Sequence, residues 1–351
     1  MSWLILAVVL STVHLSAGVI DEIGQEVQKV FDKASPSVVR VRGLGAAKPL
    51  AGTGFFIDGH GTVVTSYNVV HEARKAWIEY QDKKIEAQIY GRDIRSGIAV
   101  LKTDLSNTPH LKFGDSTKLA VAKAVIAVAY PFDLPAAPSF GIVTGFDARY
   151  LNYFFATTYV RTSLKVKPGQ IGGPLLNSKG EIVGMLALAI QNGTECYSIP
   201  IKSAQKVIDD LLETGEAEYG WVGVGVVEGK PRENGDRPVR VSQLYDGAPA
   251  AKSGLAPGDV ILKIGDQAIK HPSDVLDVAF FSSVGDKLDV LVERDGKEEV
   301  FSFPVVARPN TSPLVRPVPA HRLPDGYQVP RETVEKEDSV LIPVKSTNQG
   351  S

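Results

Sequence analysis

The stretch GTGFFIDGHGTVVTSYNVV, residues 52–70, decides the fold. It holds two short runs rich in β-branched and aromatic residues, GTGFFI and TVVTS. An Asp-Gly-His-Gly turn at residues 58–61 separates them, and His60 is most simply a loop residue of this turn. Two such runs around a glycine-containing turn predict a β-hairpin.

The same pattern continues on both sides of this hairpin, from about residue 35 to residue 200. Further short β-rich runs are broken by Gly, Asp and Asn: SVVRVRG, AWIEYQ, KIEAQIYG, GIAVLKTD, AVIAVAY, GIVTGF and EIVGMLALA. Many short strands at regular spacing are typical of an all-β sandwich or a pair of barrels. Apolar residues at helical spacing over residues 203–213 then predict a helix that Gly215 ends. We therefore place a domain boundary near residues 215–220.

A second unit follows, over about residues 220–307. It carries the predicted strands WVGVGVVE, VRVSQL, DVILKIG, KLDVLVER and EEVFSFPVV, with one helix over residues 273–281 that Ser273 could cap. The pattern predicts a small β-rich domain with a helix. Residues 308–351 hold seven of the 22 prolines and few aromatic residues, which predicts a disordered tail.

Length and composition restrict the class of protein. The chain has 351 residues, enough for about two domains. Its net charge of -2 indicates neither a nucleic acid nor an anionic membrane as partner. The six histidines are scattered, so we predict no metal and no cofactor. Cys196 is the single cysteine, which excludes an intrachain disulfide, and its apolar neighbours favour a core position.

The amino terminus carries an apolar run, WLILAVVLSTV at residues 3–13, followed by the small residues Ala17 and Gly18. This run is shorter than a membrane span requires. We interpret residues 1–18 as a signal peptide and residues 19–34 as an N-terminal segment. An uncleaved anchor is the alternative, because no basic residue precedes the apolar run. Either way the protein is expected to be exported, to the periplasm or cell envelope if it is bacterial.

Four segments, in order, resemble the signature segments of the HtrA (Deg) family of trypsin-like serine proteases. They are residues 52–70, GRDIRSGIAVLK at 91–102, KPGQIGGPLLNSKGEIVG at 167–184 and CYSIPI at 196–201. The second unit resembles that family's PDZ domain through GWVGVGV at 220–226, DGAPAAKSGLAPGDVILKIGDQAI at 246–269 and GDKLDVLVERDGK at 285–297. The resemblance implies a mostly β protein: a two-barrel, trypsin-like domain over residues 35–215 and a PDZ domain over residues 220–307.

The family's motifs place the catalytic triad at three positions of this chain. Asn68 stands where the family has its histidine, Gly97 where it has its aspartate, and Ile171 where it has its serine. Acyl transfer by such a triad needs a hydroxyl, an imidazole and a carboxylate. The resemblance therefore leads us to expect no catalytic residue, a pseudoprotease, and a chain that is not an enzyme.

Two other function classes remain open. One is a serine-type endopeptidase with a reassembled site, for which His71 or the pair Ser163 and Lys165 offer the only obvious groups. The ordinary interpretation of these residues is an exposed histidine and a strand whose alternate residues share one face. The other class is a structural subunit without a ligand.

Peptide binding is the function that the resemblance favours. In PDZ domains the segment matching residues 220–224 holds a peptide's terminal carboxylate, and the next strand pairs with the peptide. The expected binding residues are Trp221, Val222, Gly223, Val224, Val226, Val275 and Val278, beside the apolar Leu276 and Ala279. Expected partners are protein C-termini, an active HtrA relative and further copies of the chain, a trimer by family analogy. The expected role is a scaffold, a chaperone-like holder or a regulator in envelope protein quality control.

Overall fold

The computed structural model describes five stretches of the chain: residues 2–44, 49–147, 158–190, 195–232 and 235–308. Almost all of the Pro-rich segment, from residue 309 onward, lies outside these stretches, so its predicted disorder stays a prediction.

The chain begins with helix α1, Ser2–Ala34. The helix passes through Gly18, where the sequence predicts signal-peptide cleavage, and its last turns bury Val30 and Ala34 against the barrels. The boundary between residues 18 and 19 remains a prediction. Among the helices of the described residues, none combines the length and apolar character that a membrane crossing requires.

The first barrel closes in the strand order β1-β2-β3-β6-β5-β4. The predicted hairpin of residues 52–70 forms strands β2 and β3, and the short helix α2 follows β3 directly. Alternate residues point into the barrel, where Val41, Phe56 and Ile78 pack together. The bounds are β1 Val38–Leu44, β2 Pro49–Phe56, β3 Thr62–Ser66, α2 Tyr67–Val70, β4 Lys75–Tyr80, β5 Lys83–Asp93 and β6 Ile98–Lys102.

The second barrel closes in the order β10-β11-β12-β9-β8-β7. Helix α3 follows it and buries the apolar face that the sequence predicts, while Gly215 ends the helix with a φ of +81° and donates its N–H to the carbonyl of Leu211 at 3.0 Å. The bounds are β7 Ala124–Ala129, β8 Ala137–Asp147, β9 Tyr159–Thr162, β10 Pro174–Leu176, β11 Ile182–Ile190, β12 Glu195–Pro200 and α3 Ile201–Thr214.

The C-terminal unit is a β-rich domain with one helix, as predicted. Its main sheet has the order β14-β15-β16-β18-β19, β17 pairs with β16, and β13 pairs with β20. The bounds are β13 Gly220–Trp221, β14 Val224–Glu228, β15 Val239–Leu244, β16 Val260–Ile264, β17 Gln267–Ala268, α4 Pro272–Phe281, β18 Lys287–Arg294, β19 Lys297–Pro304 and β20 Val306–Ala307.

The start of α4 differs from the prediction. Ser273 does not cap the helix, because Pro272 is its first residue and His271 precedes it. Asp274 satisfies the backbone instead, since its carboxylate accepts the N–H groups of Lys270 and His271, both at 2.8 Å. Proline lacks an N–H and has a helical φ, so it favours the first helical position, and the cap lies at His271, two residues upstream of Ser273.

Candidate functional site

A cleft of about 650 Å³ lies between the two barrels. Thr53 joins the barrels at its base: its N–H donates to the carbonyl of Ile171 at 3.2 Å, and its hydroxyl donates to the carbonyl of Gly169 at 2.7 Å. Most of the lining side chains are apolar, and the polar ones belong to Ser66, Asn68 and Lys167. The cleft therefore offers an extended apolar surface with a few polar groups, the usual character of a ligand site.

Asn68 reaches the cleft from helix α2. Ser66 caps this helix, because its side-chain oxygen accepts the N–H of Asn68 at 3.3 Å. The structure thus places Asn68 and Ile171 in one cleft, as the resemblance implies. An asparagine amide can donate and accept hydrogen bonds, but it is no general base near neutral pH.

Gly97 lies behind α2 and does not line the cleft. Its backbone has a φ of +74°, and its carbonyl accepts the N–H of Tyr67, the first residue of α2, at 2.7 Å. The antiparallel pairing of Ser66 with Ile98 brings these two segments together. Gly97 therefore acts on the cleft only through its backbone.

The turn at residues 167–173 forms the opposite wall. Gln170 braces it: its side-chain oxygen accepts the N–H of Lys167 at 2.7 Å, and its carbonyl accepts the N–H of Gly173 at 3.1 Å. Gly169 has a φ of +90°. Within the described residues, the N–H groups of Gly169 and Ile171 donate to no acceptor, so the turn keeps two donors for a ligand oxygen.

The rim of the cleft carries an exposed aromatic side chain. Phe132 and Asp133 have φ values of +50° and +63°, which are unusual outside glycine. Hydrogen bonds hold this conformation: the N–H of Phe132 donates to the carbonyl of Pro168 at 2.7 Å, and Arg42 donates to Asp133 at 2.7 Å. The hydrogen bond of Arg42 to Glu79, followed by that to Asp133, raises the pKa of Arg42. The pairing fixes Phe132 at the entrance.

The other candidate groups for a reassembled site lie apart from the cleft lining. The ring Nδ1 of His71 lies 3.0 Å from the carbonyl of Asn68, and the hydroxyl of Ser163 accepts the N–H of Ile142 at 3.0 Å. Neither they nor Lys165 line the cleft. Cys196 is fully buried, and burial raises the pKa of its thiol to about 12, as suits a core residue. Ser66 is the hydroxyl that does line the cleft, and sequence reasoning missed it.

A second candidate site lies in the C-terminal unit, where residues 220–224 lead from β13 through a loop into the beginning of β14. The carbonyls of Val222 and Gly223 accept the N–H groups of Ala250 and Tyr245 at 3.1 and 3.0 Å. No backbone carbonyl of the described residues accepts the N–H of Val222 or Gly223. Consecutive free N–H groups beside a residue with positive φ, here Gly223 at +76°, suit a carboxylate.

Strand β14 and helix α4 form a groove beside this loop. β14 pairs with β15 along one edge, and α4 lies along its other edge without strand pairing. Of the predicted binding residues, Val222, Val224, Val275 and Val278 line a small apolar cavity of about 10 Å³ between the loop and α4, about the volume that one water needs. Trp221, Gly223 and Val226 do not line it, and Val226 packs against the core of the C-terminal unit instead. The cavity also includes residues that the sequence analysis did not single out: Leu255, Ile261, Ile264, Leu288, Val290 and Phe303.

Comparison with known families and proteins agrees with this architecture. The family described as "Trypsin-like peptidase domain" matches residues 52–185, and the family described as "PDZ domain" matches residues 220–305. A relative from Marinomonas sp., named "Probable periplasmic serine endoprotease DegP-like", is 32% identical over 280 residues, 75% of this chain and 58% of its own length. A relative of the same name from Pseudomonas putida is 33% identical over 270 residues, 74% of this chain and 56% of its own length.

The chain thus spans little more than half the length of these relatives. Their names agree with the predicted export to the periplasm. They contradict the prediction that the chain is not an enzyme, because the relatives are named serine endoproteases. The alternative of a serine-type endopeptidase is better supported by this comparison.

Solved structures give the same result for the fold. The structure described as "HtrA-type protease AlgW with tripeptide" superposes on this chain with a TM-score of 0.72 at 26% sequence identity. The alignment covers 81% of this chain and 97% of that chain. The two barrels and the C-terminal unit agree with the expected trypsin-like domain and PDZ domain. The chain is a member of the HtrA family, with a trypsin-like peptidase domain followed by one PDZ domain.

Proposed function

We propose that the protein binds the C-terminal segments of exported polypeptides in the groove between β14 and α4. The free N–H groups of Val222 and Gly223 carry this proposal, because they offer donors for a terminal carboxylate at the end of an unpaired strand edge. A peptide that adds to this edge gains main-chain hydrogen bonds, and the half-buried side chains of Val224 and Val278 offer apolar contacts to its last side chain. The structurally similar AlgW protease was solved with a tripeptide, which supports peptide as the ligand class.

The side chains along the groove indicate which peptides bind. Val224 and Val278 are aliphatic and half-buried, and a polar terminal side chain packed against them would lose its water without gaining a hydrogen bond. We therefore expect an apolar terminal residue. A single site of this size binds with a Kd of about 1 to 100 μM. Calorimetric titration of the full chain with a peptide of this kind tests the proposal, and no binding up to about 1 mM would contradict it.

The groove between β14 and α4 also supports a wider role for the protein. A protein that holds polypeptide ends in the periplasm suits a scaffold or chaperone-like holder in envelope protein quality control. The resemblance adds a homo-oligomer, with a trimer as the expected form, and an HtrA-type protease as a further partner. The alignment of Asn68, Gly97 and Ile171 with the family's triad is part of this proposal. Its support is that Asn68 and Ile171 line one cleft, while Gly97 holds the beginning of α2.

Serine-type endopeptidase activity is the second candidate function, and the names of the relatives favour it. Asn68, Gly97 and Ile171 supply no nucleophile, so hydrolysis in the cleft would have to use other groups. Ser66 supplies a hydroxyl and Lys167 an amine among the lining residues. If the chain shares the activity of its relatives through this cleft, Ser66→Ala lowers the cleavage of casein to the background rate.

The matched control is Ser163→Ala, which removes a hydroxyl outside the cleft lining. Ser66 also caps α2, and losing a cap costs about 1 kcal/mol, so thermal unfolding of both variants must be measured beside the rate. Cleavage that is equally fast in Ser66→Ala and in the unchanged protein would contradict a role for Ser66.

A further inference from the structure

Tyr219 lies at the junction of the two domains, one residue before the loop at 220–224. Its hydroxyl donates to the carboxylate of Asp93 in the first barrel. On its other side, its carbonyl accepts the N–H of Arg308 at 3.0 Å, and its ring centroid lies 6.0 Å from that of Phe280 on α4. One side chain therefore touches both the peptide-groove helix and the barrel that carries Asn68.

Hydrogen bonds connect Asp93, in turn, with the beginning of α2. Its carboxylate accepts the N–H of Ser96 at 2.7 Å, and its carbonyl accepts the N–H of Gly97 at 3.1 Å. The carbonyl of Gly97 in turn accepts the N–H of Tyr67 at 2.7 Å. Three consecutive hydrogen-bonded steps thus connect the hydroxyl of Tyr219 with the first residue of α2.

The neighbouring Arg92 holds the other end of the same helix. Its guanidinium donates to the carbonyls of Val70 and His71, both at 2.8 Å. A helix of four residues cannot hold its own shape in water, so these outside bonds define its position. Consecutive residues at the end of β5 therefore support both ends of the helix that carries Asn68.

The junction around Tyr219 is closely packed. A Cβ atom on Gly220 would lie 2.4 Å from the carbonyl oxygen of Ala279 on α4, so the backbone after Tyr219 lies directly against that helix. Burial, followed by the charge of Asp93, raises the pKa of Tyr219. The hydroxyl thus stays protonated and able to donate at neutral pH.

We propose that Tyr219 is a positioning residue. It connects α4 and the peptide loop, residues 220–224, to α2 and so fixes the position of Asn68 in the cleft. The effect of peptide on α2 rests on the proposed function, because a peptide bound between β14 and α4 would contact the same helix that Tyr219 contacts. The tie itself exists without a ligand.

Hydrogen exchange of the full chain, read by mass spectrometry over residues 62–75, tests the tie in the absence of peptide. Tyr219→Phe keeps the ring and removes the hydroxyl. We expect exchange of the α2 amides to rise about fivefold, the effect of one hydrogen bond of ordinary strength. Exchange in β7 and the thermal midpoint should change little. Unchanged exchange over residues 62–75, or a uniform rise throughout the barrels, would overturn the proposal.

Tyr90→Phe is the matched control, because the hydroxyl of Tyr90 joins the same strand to the carbonyl of Leu212 at 3.3 Å without reaching α2. Asp93→Asn changes the other partner of the same hydrogen bond, and it should also raise hydrogen exchange of the α2 amides. If the two residues act through one contact, Tyr219→Phe adds little to the effect of Asp93→Asn. Additive effects would show that Tyr219 acts elsewhere.

The effect of peptide is measured last, with the apolar C-terminal peptide used for calorimetry. Bound peptide should slow exchange over residues 62–75 in the unchanged protein and in Tyr90→Phe, but not in Tyr219→Phe. Equal slowing in Tyr219→Phe would contradict the coupling. If calorimetry detects no binding, the proposed function fails, while the ligand-free comparison still decides whether Tyr219 positions α2.

Discussion

At the scale of one residue, Gly223 shows how closely the peptide loop, residues 220–224, packs against its neighbours. Its φ of +76° is costly for any residue with a side chain, and a Cβ atom there would lie 2.1 Å from the Cβ of Ala248. An alanine side chain has no rotamer that could move away. The loop that presents the N–H groups of Val222 and Gly223 therefore requires glycine at this position.

We predict that Gly223→Ala weakens peptide binding at least about tenfold, because the loop must shift to relieve the contact with Ala248. Gly247→Ala is the matched control: Gly247 has the same φ of +76°, and a Cβ there would meet nothing within 4 Å. The control carries only the backbone strain, about 1 kcal/mol, and should keep its affinity. Calorimetry on both variants makes the comparison, and equal affinities would contradict the role of the loop.

At the scale of elements, α4 has two functions at once. Val275 and Val278 line the small apolar cavity beside the groove, while Phe280 at the end of the helix is buried in the core shared by the barrels, α1 and α3. Lys202 of α3 lies over the ring of Phe281, 4.6 Å from its centroid. The helix that borders the groove thus also contacts α3.

Asp277 on α4 makes this contact sensitive to pH. Burial, then the charge of Asp274, raises the pKa of Asp277 to about 6, and Lys202 lowers it only in part. The unfolded chain has an ordinary aspartate pKa of about 3.9. The folded protein therefore binds this proton more tightly, so stability falls as pH rises from about 4 through 6 and the full cost is present above that range.

We predict that Asp277→Asn stabilises the protein at pH 7.5 by about 1 to 2 kcal/mol, a figure reduced for the partial exposure of the carboxylate. At pH 3 the gain should vanish, because Asp277 is then protonated in both the folded and the unfolded protein. Thermal unfolding at the two pH values measures the difference. Asp266→Asn, at a fully exposed carboxylate, is the control. An equal gain from Asp277→Asn at both pH values would contradict the assigned pKa.

At the scale of the whole molecule, local sequence pattern accounts for most of the architecture. The alternation in residues 52–70 predicts a hairpin, the apolar spacing over residues 203–213 predicts α3, and the resemblance supplies the two barrels and the PDZ domain. These features are local or repeated, so one sequence suffices to predict them. Gly215 ends α3, and the domain boundary near residues 215–220 stays a prediction.

Features that depend on distant parts of the chain were not predictable in the same way. Nothing near Tyr219 in sequence indicates Asp93, 126 residues away. Ser66 lines the cleft only because β3 ends there. The expectation of a protein without enzyme activity rested on three aligned positions, and its contradiction came from the names of relatives. Such conclusions require the folded chain or its relatives.

One titration tests the central claim, that the PDZ groove holds the C-terminus of a polypeptide, most directly. The full chain is titrated by calorimetry with two peptides of identical sequence and an apolar last residue, one with a free carboxylate and one amidated. The N–H groups of Val222 and Gly223 gain charge-assisted hydrogen bonds from the carboxylate alone, so amidation should weaken binding at least about tenfold. Equal affinity for the two peptides would contradict the account.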